Sequence, residues 1–238
     1  MLNFNLRQKN YQNYLLVMMM MGAASFYILH NSIPNIPIYV VSLERAIDRK
    51  NNIRKQLGSS GYTIFRATDG AKMTSYEEEL GKKWISPNTT MPPPQIGCFI
   101  SHVRLSQTII ENNYKYAVIF EDDMKPYINL RQMLPRLIAF DDYDILYLGH
   151  YFEEKSFDVV HRIDHFELHR SVHPLCTHGY IISQKAAKYL VEWLNHQKWH
   201  LQIDHLMRDL IQKKELKALS SYPRMIRTAQ GLPSLLMP

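Results

Sequence analysis

Residues 116–120, YAVIF, form an apolar run that passes directly into Glu121, Asp122 and Asp123. A run with no charged position reads as a short buried strand, which only a covered sheet can accept. Side chains alternate along a strand, so Glu121 and Asp123 are expected to point one way and Asp122 the other. In open α/β sheets, ligands bind beyond the carboxyl ends of the strands. Two carboxylates at such an end suit a hard divalent cation, Mn2+ or Mg2+, which takes oxygen ligands and leaves places for substrate phosphate. A solvated acidic turn offers the same residues without that chemistry.

The rest of the chain supplies the cover. IYVVSL, residues 38–43, is a β-branched apolar run and reads as another buried strand. Ala46, Lys50, Ile53 and Leu57 follow at helical spacing, and Gly58 and Gly61 end that helix. YTIFRA, residues 62–67, is a second strand, so the order is strand, helix, strand, as in a βαβ unit with a parallel sheet. Residues 70–96 contain Pro87, Pro92, Pro93 and Pro94 and read as a long extended loop. Asn88-Thr89-Thr90 within it fits a glycosylation acceptor. Helical stripes follow over 97–113, from Ala186 to Leu194 with Ser183 as cap, and from Ile203 to Leu210. Residues 144–148 and 180–182 read as strands. At 238 residues and 46% apolar, the chain has room for one α/β domain plus a short appendage.

That appendage is the N-terminus. Residues 15–29 are apolar and uncharged, with Arg7 and Lys9 before them. Their length lies between a signal peptide's apolar region and the roughly 20 residues of a full span. The small residues Ala23, Ala24 and Ser25 lie inside the run and not after it, which disfavours cleavage. Residues 1–35 are therefore expected to be an uncleaved signal-anchor and linker, with a cleaved signal peptide or a buried amphipathic helix as the alternatives, and 36–238 the folded domain; peripheral attachment is the other form of membrane association. The net charge is +6, but Lys and Arg are scattered apart from Arg45, Arg49, Lys50, Arg54 and Lys55. No nucleic-acid-binding motif accompanies that cluster, so nucleic acid is not an expected partner. Cys98 and Cys176 could pair but make no disulfide framework, and the plain reading is two small buried hydrophobes.

Four further features are candidates for chemistry. Asp69-Gly70 follows the second strand on the same rim, where an acid can bond a ribose hydroxyl or merely make a turn. Gly97 opens a helix and permits close approach, and His102 one turn on can face a phosphate or a carboxylate. Asp204 begins the last helical stripe, as an N-cap or as a base for an acceptor hydroxyl. His161, His165, His169 and His173 are spaced by four and share a face in either regular structure, with a polar surface as the plain reading.

In this order and spacing, IYVVSLERAIDR, FRATDG, IGCFISH, AVIFEDD, HGYIIS and Ile203-Asp204 resemble glycosyltransferase family 25, the lipopolysaccharide-biosynthesis and procollagen galactosyltransferase family. The resemblance implies an α/β fold of GT-A type: a Rossmann-type sheet with flanking helices, here preceded by an N-terminal hydrophobic helix. It implies a UDP-sugar donor, often UDP-galactose, with Mn2+, and inversion at the anomeric carbon. By position, Glu121 and Asp123 would hold the metal. Leu43, Arg45, Arg49, Asp69, Gly70 and Asp122 would hold the nucleotide. His102 and Gly179 would line the donor pocket, and Asp204 would act as base. Ser42, Leu105 and Ser106 depart from the family's common residues. The expected acceptor is a glycan or glycolipid; protein hydroxylysine is the family's other acceptor. Two further readings are an inactive binding module and a metal-dependent phosphoryl enzyme such as a nuclease.

Overall fold

A computed structural model describes residues 36–151, 153, 158–232 and 235. The apolar run at 15–29, and the anchor expected there, lie outside those residues. Among the described residues no helix is long and apolar enough to cross a membrane.

The expected βαβ unit is present. β1 (Ile38–Ser42) is followed by α1 (Ile47–Leu57) and β2 (Thr63–Arg66), and the two strands pair in parallel. On its other edge β1 pairs in parallel with β3 (Tyr116–Glu121), so these three strands end on one rim. Beyond β3 the sheet is mixed. β8 (Gly179–Ser183) runs antiparallel to both β3 and β5 (Ile145–Tyr147), and β9 (Ala218–Tyr222) runs parallel to β5. The hairpin of β6 (Val159–Ile163) and β7 (Phe166–Arg170) closes that side, with β7 antiparallel to β9. The order is β2-β1-β3-β8-β5-β9-β7-β6, and a separate ribbon pairs β4 (Met124–Pro126) with β10 (Ile226–Thr228). The fold is thus α/β, with parallel pairing confined to part of the sheet.

Alternation on β3 divides the core. Ala117 and Ile119 join a cluster with residues of α2 (Ser75–Trp84), α3 (Pro93–Glu111), α5 (Gln184–His196) and α6 (Ile203–Gln212). Val118 and Phe120 are fully buried outside that cluster. Burial of both sets explains why β3 carries no polar residue before Glu121. The amphipathic α4 (Leu130–Phe140) buries Leu130, Met133, Leu134, Leu137 and Ile138.

About half of the loop expected at 70–96 is helical, and the expectation holds for 70–74 and 85–92. Thr74 and Glu77 form a reciprocal capping box that starts α2, and prolines at the first turn start α3. Both are helix-start signals, because a capping side chain satisfies orphan amides and proline lacks an amide to satisfy. The histidine stripe is also not one face. The chain reverses between β6 and β7, which puts His161 and His169 on separate strands. His161 stacks on Phe140, while His169 is buried beside Glu167. Ser183 caps α5 as expected, accepting from the Ala186 amide.

Candidate active site

The ends of β1, β2 and β3 and the first turns of α3 line a solvent-open cleft. Leu43, Arg45, Arg49, Asp69, Gly70, His102, Glu121, Asp122 and Asp123 all line it. Parallel strands explain this convergence: their carboxyl ends and following turns meet at one rim.

The three acids have different surroundings. β3 ends at Glu121, so strict alternation stops there and Asp122 and Asp123 sit in a turn. Asp122 is buried and uses both carboxylate oxygens. Arg49 donates to Oδ1 at 2.6 Å and Ser42 to Oδ2 at 2.7 Å. Asn52 donates to the backbone oxygens of Asp122 and Met124 and pins the turn. Asp122 and Arg49 are therefore structural partners as well as cleft residues.

Asp123 is tied at one oxygen only. Arg49 approaches Oδ2 at 3.2 Å, whereas Oδ1 is buried without a hydrogen-bond partner. Burial, then the charge of Glu121, push its carboxyl up to about 7, against the pull of Arg49. Glu121 goes the other way. Burial alone would raise it, but His102, Thr177 and His178 outweigh that and hold it below the usual carboxylate range. Thr177 donates to Glu121 Oε1 at 2.5 Å. His102 Nε2 lies 3.5 Å from the same oxygen, and His102 Nδ1 meets the Tyr180 hydroxyl at 2.9 Å.

Another part of the lining, at Thr68, Gly70 and the start of α3, is built backbone to backbone. A Cβ on Gly97 would lie 2.4 Å from the Thr68 carbonyl oxygen, and one on Gly70 would lie 1.6 Å from that of Pro93. Only glycine allows this approach. Ser101 accepts from the Thr68 amide at 2.8 Å and donates to the Gly97 carbonyl at 2.6 Å, which stitches the loop to α3. At the mouth Arg45 pairs with Asp69, which also accepts from the Ala71 amide at 3.2 Å.

Two expected residues are not in the lining. Gly179 faces Phe120 across the β3–β8 pair, and its missing side chain makes room for Ile226 and Phe120. Asp204 is in the first turn of α6, whose N-cap is Gln202. Its oxygens accept from the Cys176 and His205 amides, both at 2.9 Å. Its charge nevertheless reaches the cleft: burial first, then Glu121, Asp204 and Asp123, drive the Cys98 thiol well up. Cys98 and Cys176 are unpaired thiols. Sequence reasoning gives Thr177 no role and Tyr180 only a place in a strand, although both lie within or beside HGYIIS. Their distance from Glu121 along the chain hid their role.

A family model described as glycosyltransferase family 25 (LPS biosynthesis protein) matches residues 35–207. A Haemophilus influenzae protein named as a candidate glycosyltransferase is 28% identical over 209 residues, 82% of this chain and 71% of that protein. The lipooligosaccharide biosynthesis protein lex-1 of the same organism is 33% identical over 109 residues, 41% of this chain and 36% of that one. Procollagen galactosyltransferase 1 of Danio rerio is 24% identical over 223 residues, 84% of this chain and 36% of that one. The chain thus spans little more than a third of the length of the last two.

Proposed function

The chain belongs to glycosyltransferase family 25, and from that premise we propose a metal-dependent, inverting transfer of a sugar from a UDP-sugar to a saccharide acceptor. Galactose is the first sugar to test. The observation that carries the reading is the Glu121–Asp123 pair on the cleft wall, with a buried, unpartnered oxygen on Asp123. Two carboxylates whose charges oppose each other fit a hard cation, Mn2+ or Mg2+. Glu121 and Asp123 would hold it. When bound, it would neutralise the charge that develops on the departing diphosphate.

The chain's own groups do the rest. Arg49 fixes Asp122 and Asp123 and keeps the acidic turn in register. Leu43, Arg45, Asp69 and Gly70 form the nucleotide side of the cleft. His102 and Thr177 orient Glu121. Asp204 accepts the proton of the acceptor hydroxyl while that oxygen bonds the anomeric carbon and the carbon–oxygen bond to UDP breaks. Its two amide donors fix the carboxylate and leave lone pairs on both oxygens. The β1–α1–β2 unit beside β3 supports a GT-A-type reading of the sheet. The family description supports a lipopolysaccharide-type acceptor, and residues 15–29 would bring the domain to it at a membrane. A collagen-type peptide is the second acceptor class to assay, given the procollagen relative.

Thermal unfolding with a panel of nucleoside diphosphates, in Mn2+ and in chelator, tests the reading. A ligand at 100 times its Kd stabilises by about 2.7 kcal/mol. The expected result is a UDP-selective rise of several degrees that needs Mn2+. An equal rise in chelator removes the metal from the mechanism. A folded sample that responds to no nucleotide supports a binding module instead.

A further inference from the structure

Cys98 and His102 are four residues apart on α3, so their side chains share one helix face. That face meets the end of β3. One donor atom each from Cys98, His102 and Glu121 lies within 4.8 Å of the other two. This set shares only Glu121 with the carboxylate pair described above.

The histidine is held as a metal-bound imidazole is held. Ligating histidines usually bond an outer partner through the second ring nitrogen, which fixes the ring and its tautomer. Here Nδ1 meets the Tyr180 hydroxyl at 2.9 Å. The residue is 2% exposed, and Nε2 is buried with no hydrogen-bond partner. It faces Glu121 Oε1 at 3.5 Å. A tetrahedral ion with bonds of about 2.0–2.1 Å to nitrogen and oxygen separates them by about 3.4 Å. Glu121 also has its outer partner, the Thr177 hydroxyl.

Donor chemistry selects the ion. Sulfur, nitrogen and oxygen together suit a borderline cation, whereas paired carboxylates suit a hard one. We propose that Cys98, His102 and Glu121 form a three-ligand site for Zn2+ or a similar cation, with its fourth position open to the cleft. Occupying it withdraws Glu121 from the hard-cation pair, so zinc antagonises Mn2+-dependent nucleotide binding. The antagonism rests on the transferase reading above; the binding does not.

Cobalt reports the site directly. Metal-free full-length protein is titrated with Co2+ and followed by absorption. Cobalt bound to a thiolate gives a near-ultraviolet charge-transfer band, and tetrahedral geometry adds intense visible bands. The expected result is one Co2+ per chain with both features, displaced by Zn2+. The bands should persist in Cys176→Ser and vanish in Cys98→Ser, with circular dichroism unchanged. His102→Asn should weaken Zn2+ by more than the roughly 10–100-fold that losing an outer partner costs. A folded wild type without a charge-transfer band overturns the proposal, as does a band that survives Cys98→Ser. Mn2+–UDP stabilisation, measured on a separate aliquot of the metal-free protein to which no cobalt is added, separates the two readings. If that shift is present and the cobalt band absent, only the zinc site fails. If the band is present and the shift absent, only the transferase reading fails.

Discussion

Asp123 shows how a single side chain is set against the stability of its own fold. Its neighbour Asp122 is fully paired, but Asp123 shares Arg49 and leaves Oδ1 without a partner. Burial and the Glu121 charge raise its carboxyl to about 7, above the unfolded value near 4. The folded protein therefore binds the extra proton, and this group's contribution to stability falls as pH rises from about 4 to about 7. Asp123→Asn removes the charge while keeping the shape. In chelator at pH 8 the variant should melt above the wild type, with the difference shrinking as pH approaches 4. The same variant should lose the Mn2+-dependent nucleotide shift, because an amide poorly replaces an anionic ligand. Melting curves across that pH range check both statements. A variant less stable than wild type at pH 8, or one with the Mn2+ response intact, contradicts the role given to Asp123. Both outcomes together would mean that the role proposed for Asp123 costs stability, as is common where charge is concentrated for binding.

Between elements, the contact that shapes the cleft is the loop after β2 pressed onto the first turns of α3. Gly97→Ala places a Cβ 2.4 Å from the Thr68 oxygen and 2.7 Å from the Gly70 amide nitrogen. Both are backbone atoms and cannot swing aside as a side chain can. Overpacking of this kind costs about 1–3 kcal/mol. Urea unfolding should show that loss with an unchanged slope, and an unchanged midpoint would contradict the close packing. Glycine at 97 was legible in the sequence as a point of close approach, and so were β1, α1, β2, β3 and the acidic rim. Long apolar runs and helical stripes carry that information without help from the rest of the chain. Other elements were hidden for identifiable reasons. Four prolines masked α2, although Thr74 and Glu77 already spelled its cap. Pro135 interrupts the α4 pattern, and β4 and β10 are three residues each. The histidine spacing suggested one face because periodicity cannot show where a chain turns back. Nor does local sequence show β8 entering antiparallel between β3 and β5. That placement brings Thr177 and Tyr180, 56 and 78 residues from their partners, to Glu121 and His102.

At the scale of the molecule, residues 37–238 form a compact unit with its own sheet and core. The whole cleft is built from residues of that unit. Nucleotide and metal binding should therefore not need residues 1–35, whereas membrane binding should. Two forces can hold this chain to a bilayer, and they separate by salt. Burial of the apolar run at 15–29 is indifferent to ionic strength, while attraction of a chain of net charge +6 to anionic lipid is screened within about 3 Å at 1 M salt. Arg7 and Lys9 are the only Lys, Arg, Asp or Glu side chains in residues 1–35, so the remaining unit keeps a net positive charge after truncation. Flotation with neutral and anionic vesicles then distinguishes the two. Full-length protein should float with both in 1 M salt. Residues 36–238 should float only with anionic vesicles at low salt, and should keep the UDP and Mn2+ shift of the full chain within a degree or so. Flotation of the truncated protein with neutral vesicles in high salt would move the membrane contact onto the folded unit. Release of the full chain by salt would leave charge alone to bring the cleft to an acceptor in the membrane.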